Sequence, residues 1–251
     1  IDKNYLIMFF LMFHDIRNNF DKYKKRYEMD SYITLNQFSN FIDYKNNDLF
    51  RFNKTLSINS DILNDNSSKI ILTFDDGLKD HIKVARLLHE RGLKAIFFVP
   101  YKAIYEKEII LSHKIQFLLS KCDNKFLIQE LINNSNFDKE YLENNYSQNY
   151  YPKSIWTKEM VIFTRFGRED KKGRNLVTKL FYKYVYKKDK DFFLNLYLQE
   201  KDLYEIFELG HLIGGHGYFS ENINFLDNVD KEVKKSYELI TKFNQNSKLY
   251  S

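Results

Sequence analysis

The sequence predicts an α/β fold with a parallel sheet, and three features of the 251-residue chain indicate it. Residues 69–74 and 95–99 are short, mainly apolar runs, which are typical of strands buried on both faces. A helical pattern of apolar residues separates them, so this part of the chain forms a βαβ unit whose strands should be parallel. The same strand-then-helix pattern returns at residues 212–216 and 229–243.

The composition is that of a folded globular protein, with 43% hydrophobic and 29% charged residues. Lys and Arg number 39 against 34 for Asp and Glu, so the net charge of +5 is modest and nucleic acid is not an expected partner. Cys122 is the only cysteine. The chain therefore has neither an intrachain disulfide nor a thiolate cluster, and any metal must be bound by oxygen and nitrogen ligands.

The N-terminal part predicts a strand and a helix. Residues 5–13 form a continuous apolar run that ends at His14, which indicates another buried strand. The run is about half as long as a membrane span, so we predict no transmembrane segment and expect a cytoplasmic location. Residues 34–44 repeat apolar positions at helical spacing, with Thr34 placed to act as the N-cap.

The middle of the chain follows a different pattern. A helix predicted at residues 78–91 ends before Gly92, which suits a left-handed helix cap. From 111 to 209 the apolar residues recur at helical spacing, and no clear strand signal is present. We interpret this segment as a mainly helical insertion, which divides the chain into residues 1–110, 111–209 and 210–251.

Two adjacent carboxylates follow the strand at residues 69–74. Asp75 and Asp76 stand at its C-terminal end, where α/β folds gather their catalytic groups. One carboxylate could bind a divalent cation while its neighbour serves as a general base. His216 ends another predicted strand and is a second candidate ligand.

These motifs resemble those of a known family. Residues 73–77 (TFDDG) are similar to the first signature of the NodB-type polysaccharide deacetylases, carbohydrate esterase family four, and residues 213–218 (IGGHGY) are similar to the second. A bare Asp-Asp-Gly is usually only a turn. An apolar strand before it, a helix after it and a second motif in the correct order favour a site instead. The resemblance covers roughly residues 5–99 and 208–243.

The resemblance implies a distorted (β/α) barrel with fewer than eight regular strands, which would be incomplete at the C-terminal end of this chain. It also implies a mononuclear metal site. Carried over, Asp75 is the general base, while Asp76 and His216 are metal ligands. The arginine that orients the base in the family, and the histidine that acts as general acid, would follow Ser251.

One expected ligand is replaced. The family's second metal-binding histidine falls at Ser220, and serine is a weak ligand for zinc-like cations. His14 is the natural substitute, because it ends a strand that we expect beside the one carrying Asp75. A simpler interpretation, in which His14 only packs and hydrogen-bonds there, stays open. We predict that Tyr218 and Ser220 contact substrate. Four histidines are not expected to be ligands: His81, His89, His113 and His211.

The chain is therefore expected to be a metal-dependent hydrolase, with zinc as the expected cation. It would remove an N-acyl group from a sugar in a glycan, a lipid-linked saccharide or a nucleotide sugar. The alternative is a catalytically inactive carbohydrate-binding relative whose metal site is degraded. Carbohydrate is the expected partner in both cases, and metal content distinguishes them.

Overall fold

The computed structural model describes residues 8–17, 32–43, 69–148, 156–186, 191–218 and 228–243. Its strands are β1 (Met8–Phe13), β2 (Ile16–Arg17), β3 (Ile33–Thr34), β4 (Lys69–Phe74), β5 (Ala95–Val99) and β6 (Leu212–Gly215). The strands β1, β4, β5 and β6 pair in that order, and every pair is parallel. The predicted α/β class with a parallel sheet is therefore confirmed. The short strands β2 and β3 form a separate parallel pair, which the sequence did not predict.

Helices make up most of the remaining described chain. They are α1 (Leu35–Ile42), α2 (His81–Glu90), α3 (Tyr101–Tyr105), α4 (Leu111–Lys121), α5 (Asn124–Ser135), α6 (Lys139–Tyr146), α7 (Lys158–Glu169), α8 (Lys171–Leu180), α9 (Asp191–Leu196), α10 (Glu200–Glu208) and α11 (Val229–Phe243). A π-helical turn, Phe181–Val185, follows α8. None of the helices described has the length and hydrophobicity that a membrane span requires.

The two faces of the sheet differ. One face holds the main core, where residues such as Leu72, Phe97 and Ile213 are fully buried beneath helices that include α2 and α11. The opposite face carries a smaller cluster made of Ile71, Ile96, Phe98 and Leu212. The four described strands form an open sheet, so the barrel implied by the resemblance stays a prediction.

The start of one helix is set by a local signal in the sequence, and the start of another by a contact with a distant segment. Thr34 caps α1 as predicted: its hydroxyl accepts from the Gln37 N–H at 3.1 Å, and the Gln37 side chain accepts from the Thr34 N–H at 2.7 Å. Such a cap stabilises a helix by about 1 kcal/mol. The second helix begins at His81, later than predicted, because Leu78 pairs with Tyr197 in an antiparallel bridge.

The segment from 111 to 209 is mainly helical where the structure describes it. Its buried aromatic residues, including Phe163, Phe166 and Phe181, belong to the same continuous core as the sheet residues Phe74 and Phe97. The helices therefore pack as part of one hydrophobic core, and the domain boundaries predicted from the sequence stay a prediction.

His211 joins three elements through hydrogen bonds that require its neutral form. Its Nδ1 accepts from the Ala95 N–H of β5 at 3.2 Å, so Nε2 carries the proton and donates to the Ala85 carbonyl of α2 at 2.9 Å. The ring is fully buried just before β6. Burial lowers the pKa of His211 to about 4, and burial likewise lowers the pKa of His81 to about 4.

We predict that acid destabilises this protein partly through His211. In the unfolded chain a histidine takes up its proton near pH 6.5, whereas folded His211 does so only near pH 4. Its contribution to stability is therefore complete above pH 6.5 and is lost as the pH falls towards 4. Urea unfolding should show the advantage of wild type over His211→Gln shrinking by roughly 1 kcal/mol per pH unit across this interval. An advantage that does not change with pH would contradict the assignment.

Candidate metal and catalytic site

The predicted site residues come together at the C-terminal edge of the sheet. The Asp75 N–H donates to the Phe13 carbonyl at 2.9 Å, which extends the pairing of β4 with β1. On the other side, the His216 N–H donates to the Val99 carbonyl at 3.0 Å and extends the pairing of β6 with β5. The backbone of the sheet therefore places Asp75 and His216 at the same edge.

Asp76 lies between two imidazole rings. Its Oδ1 is 3.4 Å from Nε2 of His216, and its Oδ2 is 3.4 Å from Nε2 of His113. The residue is only 7% exposed. Burial by itself raises the pKa of Asp76, but the two histidines outweigh it and hold that pKa well below its usual value. Asp76 is therefore a carboxylate, and its negative charge is compensated by imidazole groups on both sides.

The turn that carries Asp76 is conformationally unusual. Asp76 and Gly77 both adopt left-handed backbone conformations, with φ of 72° and 61°. Such a conformation costs a non-glycine residue about 1–2 kcal/mol, and strain of this kind clusters at functional sites. The segment before α10 holds the turn: the Leu198 N–H donates to the Gly77 carbonyl at 2.9 Å, and the Lys79 N–H donates to the Leu196 carbonyl at 2.8 Å.

Asp75 has the properties of a proton acceptor. It is 2% exposed, and its buried Oδ1 has no hydrogen-bond partner among the described residues. Burial raises the pKa of Asp75, Asp76 raises it further, and His216 and His14 lower it only in part. A buried carboxylate with a raised pKa beside a second, ionised carboxylate is a common arrangement for a general base.

His113 is the residue that sequence reasoning missed. It is buried in the first turn of α4, and its Nδ1 lies 2.7 Å from the hydroxyl of Tyr197. That hydroxyl also accepts from the Ile110 N–H at 3.1 Å. No pattern in the sequence marks this contact: one turn along α4 from His113 lie Gln116 and Phe117, one polar and one apolar.

Of the other predicted site residues, the structure describes His14 and Tyr218 but not Ser220. His14 is exposed and lies close enough to Asp75 to lower its pKa, and its role as a ligand stays a prediction. Tyr218 is 2% exposed, and its hydroxyl donates to the Glu106 carboxylate at 2.7 and 2.9 Å. It therefore fixes the loop after β6, while its contact with substrate stays a prediction. Ser220 lies outside the described residues.

The side chains around Asp76 suit a zinc-like cation in type and spacing. Ligands bound at about 2.0–2.2 Å in a tetrahedral site lie about 3.4 Å apart, as the Asp76 oxygens and the two imidazole nitrogens do here. Nδ1 of His216 is buried and has no partner among the described residues, so they do not supply the second contact that a ligating histidine normally makes. The imidazoles face different oxygens, however, and no three such side chains in the described parts of the chain form a closed ligand group. Binding a cation would require a side-chain movement.

Comparison of the chain with models of known families, with curated proteins and with solved structures finds no match. The family resemblance therefore depends on the two motifs and their neighbouring strands.

Packing around the turn leads to a prediction with a matched control. Gly77 and Gly92 both have left-handed φ values, 61° and 66°. A Cβ at Gly77 would lie 3.0 Å from Cγ1 of Val99, whereas one at Gly92 would meet nothing within 4 Å. Thermal or urea unfolding should show that Gly92→Ala costs about 1 kcal/mol, from the backbone alone. We expect Gly77→Ala to cost about 1–2 kcal/mol more, because its added methyl group would lie too close to the Val99 side chain. Equal costs would show that β5 does not constrain the turn.

Proposed function

We propose that this chain is a metal-dependent hydrolase that removes an N-acyl group from a sugar. The observation that carries the proposal is the buried Asp76 carboxylate between two imidazoles, with Asp75 and its raised pKa directly beside it. This pairing gives two adjacent carboxylates different protonation behaviour, which an acid–base mechanism requires. The TFDDG and IGGHGY motifs supply the same residues in the order found in NodB-type deacetylases.

Within this proposal, Asp76 and His216 hold a divalent cation, for which zinc is the expected choice. A divalent cation in such a site supplies Lewis acidity, which lowers the pKa of water and stabilises negative charge on a nearby oxygen. The depressed pKa of Asp76 keeps its carboxylate ionised, as a ligand must be.

Asp75 acts on the attacking water. Its buried Oδ1, which has no hydrogen-bond partner among the described residues, accepts one water proton, and the water oxygen bonds to the amide carbon. The tetrahedral intermediate then collapses: the C–N bond breaks, the nitrogen takes up the proton that Asp75 accepted from water, and a carboxylic acid and a free amino sugar leave. The raised pKa of Asp75 makes it a stronger base than an exposed aspartate.

We also propose that the sheet is part of a NodB-type barrel. The face opposite the main core is apolar, with Ile71, Ile96 and Phe98 buried, as the interior of a barrel would be. On the same face, the β1 residues Phe10 and Met12 are each 61% exposed. Further strands of a barrel would cover these large apolar side chains on β1.

The expected substrate is a carbohydrate that carries an N-acyl group, in a glycan, a lipid-linked saccharide or a nucleotide sugar. We propose a cytoplasmic location, consistent with the absence of a membrane-spanning helix among those described.

A second candidate function is carbohydrate binding without catalysis. One observation favours it: His113 and His216 already compensate the Asp76 charge from different oxygens, and this arrangement does not require a cation. This His–Asp–His group could therefore be a structural feature of an inactive relative.

Replacing Asp75 and replacing Asp76 with asparagine should affect different properties of the protein. We expect wild type to contain about one cation per chain and to release acetate from N-acetylated oligosaccharides. Asp75→Asn should retain the cation and lose at least about 100-fold in acetate release, because only the base is removed. Asp76→Asn should lose the cation itself. Metal analysis of the purified proteins and an acetate assay measure these two properties.

Asp80→Asn is the matched control, because Asp80 is a buried carboxylate near the same turn that pairs with Lys83 at 2.9 Å. It should leave metal content and acetate release close to wild type. Equal metal occupancy in Asp75→Asn and Asp76→Asn would contradict the assigned roles, and loss of the cation in Asp75→Asn alone would reverse them. A folded, metal-free wild type with no acetate release would support the inactive relative.

A further inference from the structure

We infer that His113 is a third metal ligand and that Tyr197 is its positioning residue. This inference deepens the proposed function and rests on it. It assigns the position left by Ser220 to a residue of α4, which lies outside both sequence motifs. The helical segment 111–209 then contributes directly to the site.

The position of His113 relative to Asp76 matches that of His216. Each histidine presents Nε2 to one carboxylate oxygen at 3.4 Å. A charge-assisted hydrogen bond between nitrogen and oxygen is normally about 2.7–2.9 Å long. The observed separations are longer, and each imidazole–oxygen pair has the spacing of about 3.4 Å that two neighbouring ligands of a tetrahedral cation have. Because the two imidazoles face different oxygens, a side-chain movement would bring all three residues to one cation.

Tyr197 provides the second contact that a ligating histidine normally has. Such a histidine uses its other ring nitrogen for a hydrogen bond, which fixes the ring and its tautomer. Here Nδ1 of His113 lies 2.7 Å from the Tyr197 hydroxyl, and both side chains are buried. Because the Ile110 N–H donates to the same hydroxyl, the first turn of α4 is tied to Tyr197 at two points.

The same segment also fixes the turn that carries Asp76. Tyr197 pairs with Leu78, and the next N–H along the chain, that of Leu198, donates to the Gly77 carbonyl at 2.9 Å. The backbone of this segment therefore positions the Asp76 turn, while its tyrosine side chain positions His113. The segment around Tyr197 therefore positions both His113 and the Asp76 turn, which are distant from each other in sequence.

His113 is better placed than His14 for this role. His14 is exposed, and it lies close enough to Asp75, the proposed base, to lower the pKa of that carboxyl group. His113 is 1% exposed and lies against Asp76, the proposed ligand. The rival explanation is structural: His113 would donate to Asp76 only to compensate a buried charge. In that case, replacing His113 would lower stability without changing the affinity for a cation.

The test is a Zn²⁺ titration of the full chain against a chromophoric chelator, without substrate. We expect Tyr197→Phe to weaken Zn²⁺ binding by about 10–100-fold, as the loss of an outer-shell hydrogen bond does. His113→Asn should weaken it further, because a direct ligand is removed. His14→Ala should bind within about threefold of wild type. His211→Gln, which changes a buried histidine outside the site, is the matched control and should also stay near wild type.

Co²⁺ provides a second readout that does not depend on activity. The visible absorption of bound Co²⁺ should change in His113→Asn and remain close to wild type in His14→Ala, because only the first changes the ligands. If His113→Asn does not fold, as judged by circular dichroism, Tyr197→Phe decides the question, since it keeps the aromatic ring and removes only the hydroxyl.

The outcomes separate this inference from the proposed function. If Asp76→Asn loses Zn²⁺ while His113→Asn and Tyr197→Phe bind it as tightly as wild type, the assignment of His113 is wrong and the proposed function stands. If His14→Ala shows the large loss instead, the third ligand is His14. If wild type binds no Zn²⁺, both the inference and the proposed function fail.

Discussion

The ionised carboxylate of Asp76 is buried, and an uncompensated charge in that position would strongly destabilise the fold. Compensation comes from His216, which follows the edge strand β6, and from His113 in α4. Because these residues belong to distant parts of the sequence, the carboxylate joins the sheet to the helical segment. The two parts are also joined by packing, because the buried apolar residues of the sheet and of the helical segment form one continuous core.

The elements that the sequence predicted are those whose signals are local. The buried strands at residues 69–74 and 95–99, the capped helix after Thr34 and the strand before His216 all follow from hydrophobic patterns or caps within a few residues. Asp75, Asp76 and His216 could be singled out because they end parallel strands, and parallel strands end at the same edge.

The features that were missed depend on contacts between distant segments. Nothing within α4 shows that His113 faces a carboxylate, because the contact arises only when the helix packs beside the turn at Asp76. The later start of α2 has a similar cause: Leu78 is held by Tyr197, so helical periodicity alone placed the boundary too early. The π-helical turn at Phe181–Val185 likewise has no pattern in the sequence that sets it apart from the preceding helix.

The most direct test of the account is the position of a bound cation. Crystals of the full chain soaked in Zn²⁺ should give one strong anomalous peak within about 2.0–2.2 Å of an Asp76 oxygen and of the imidazole nitrogens of His216 and His113. Asp75 should lie beside this peak without binding it directly. The account is contradicted if the Asp76 region contains no peak while His113 and His216 still face opposite oxygens of the carboxylate.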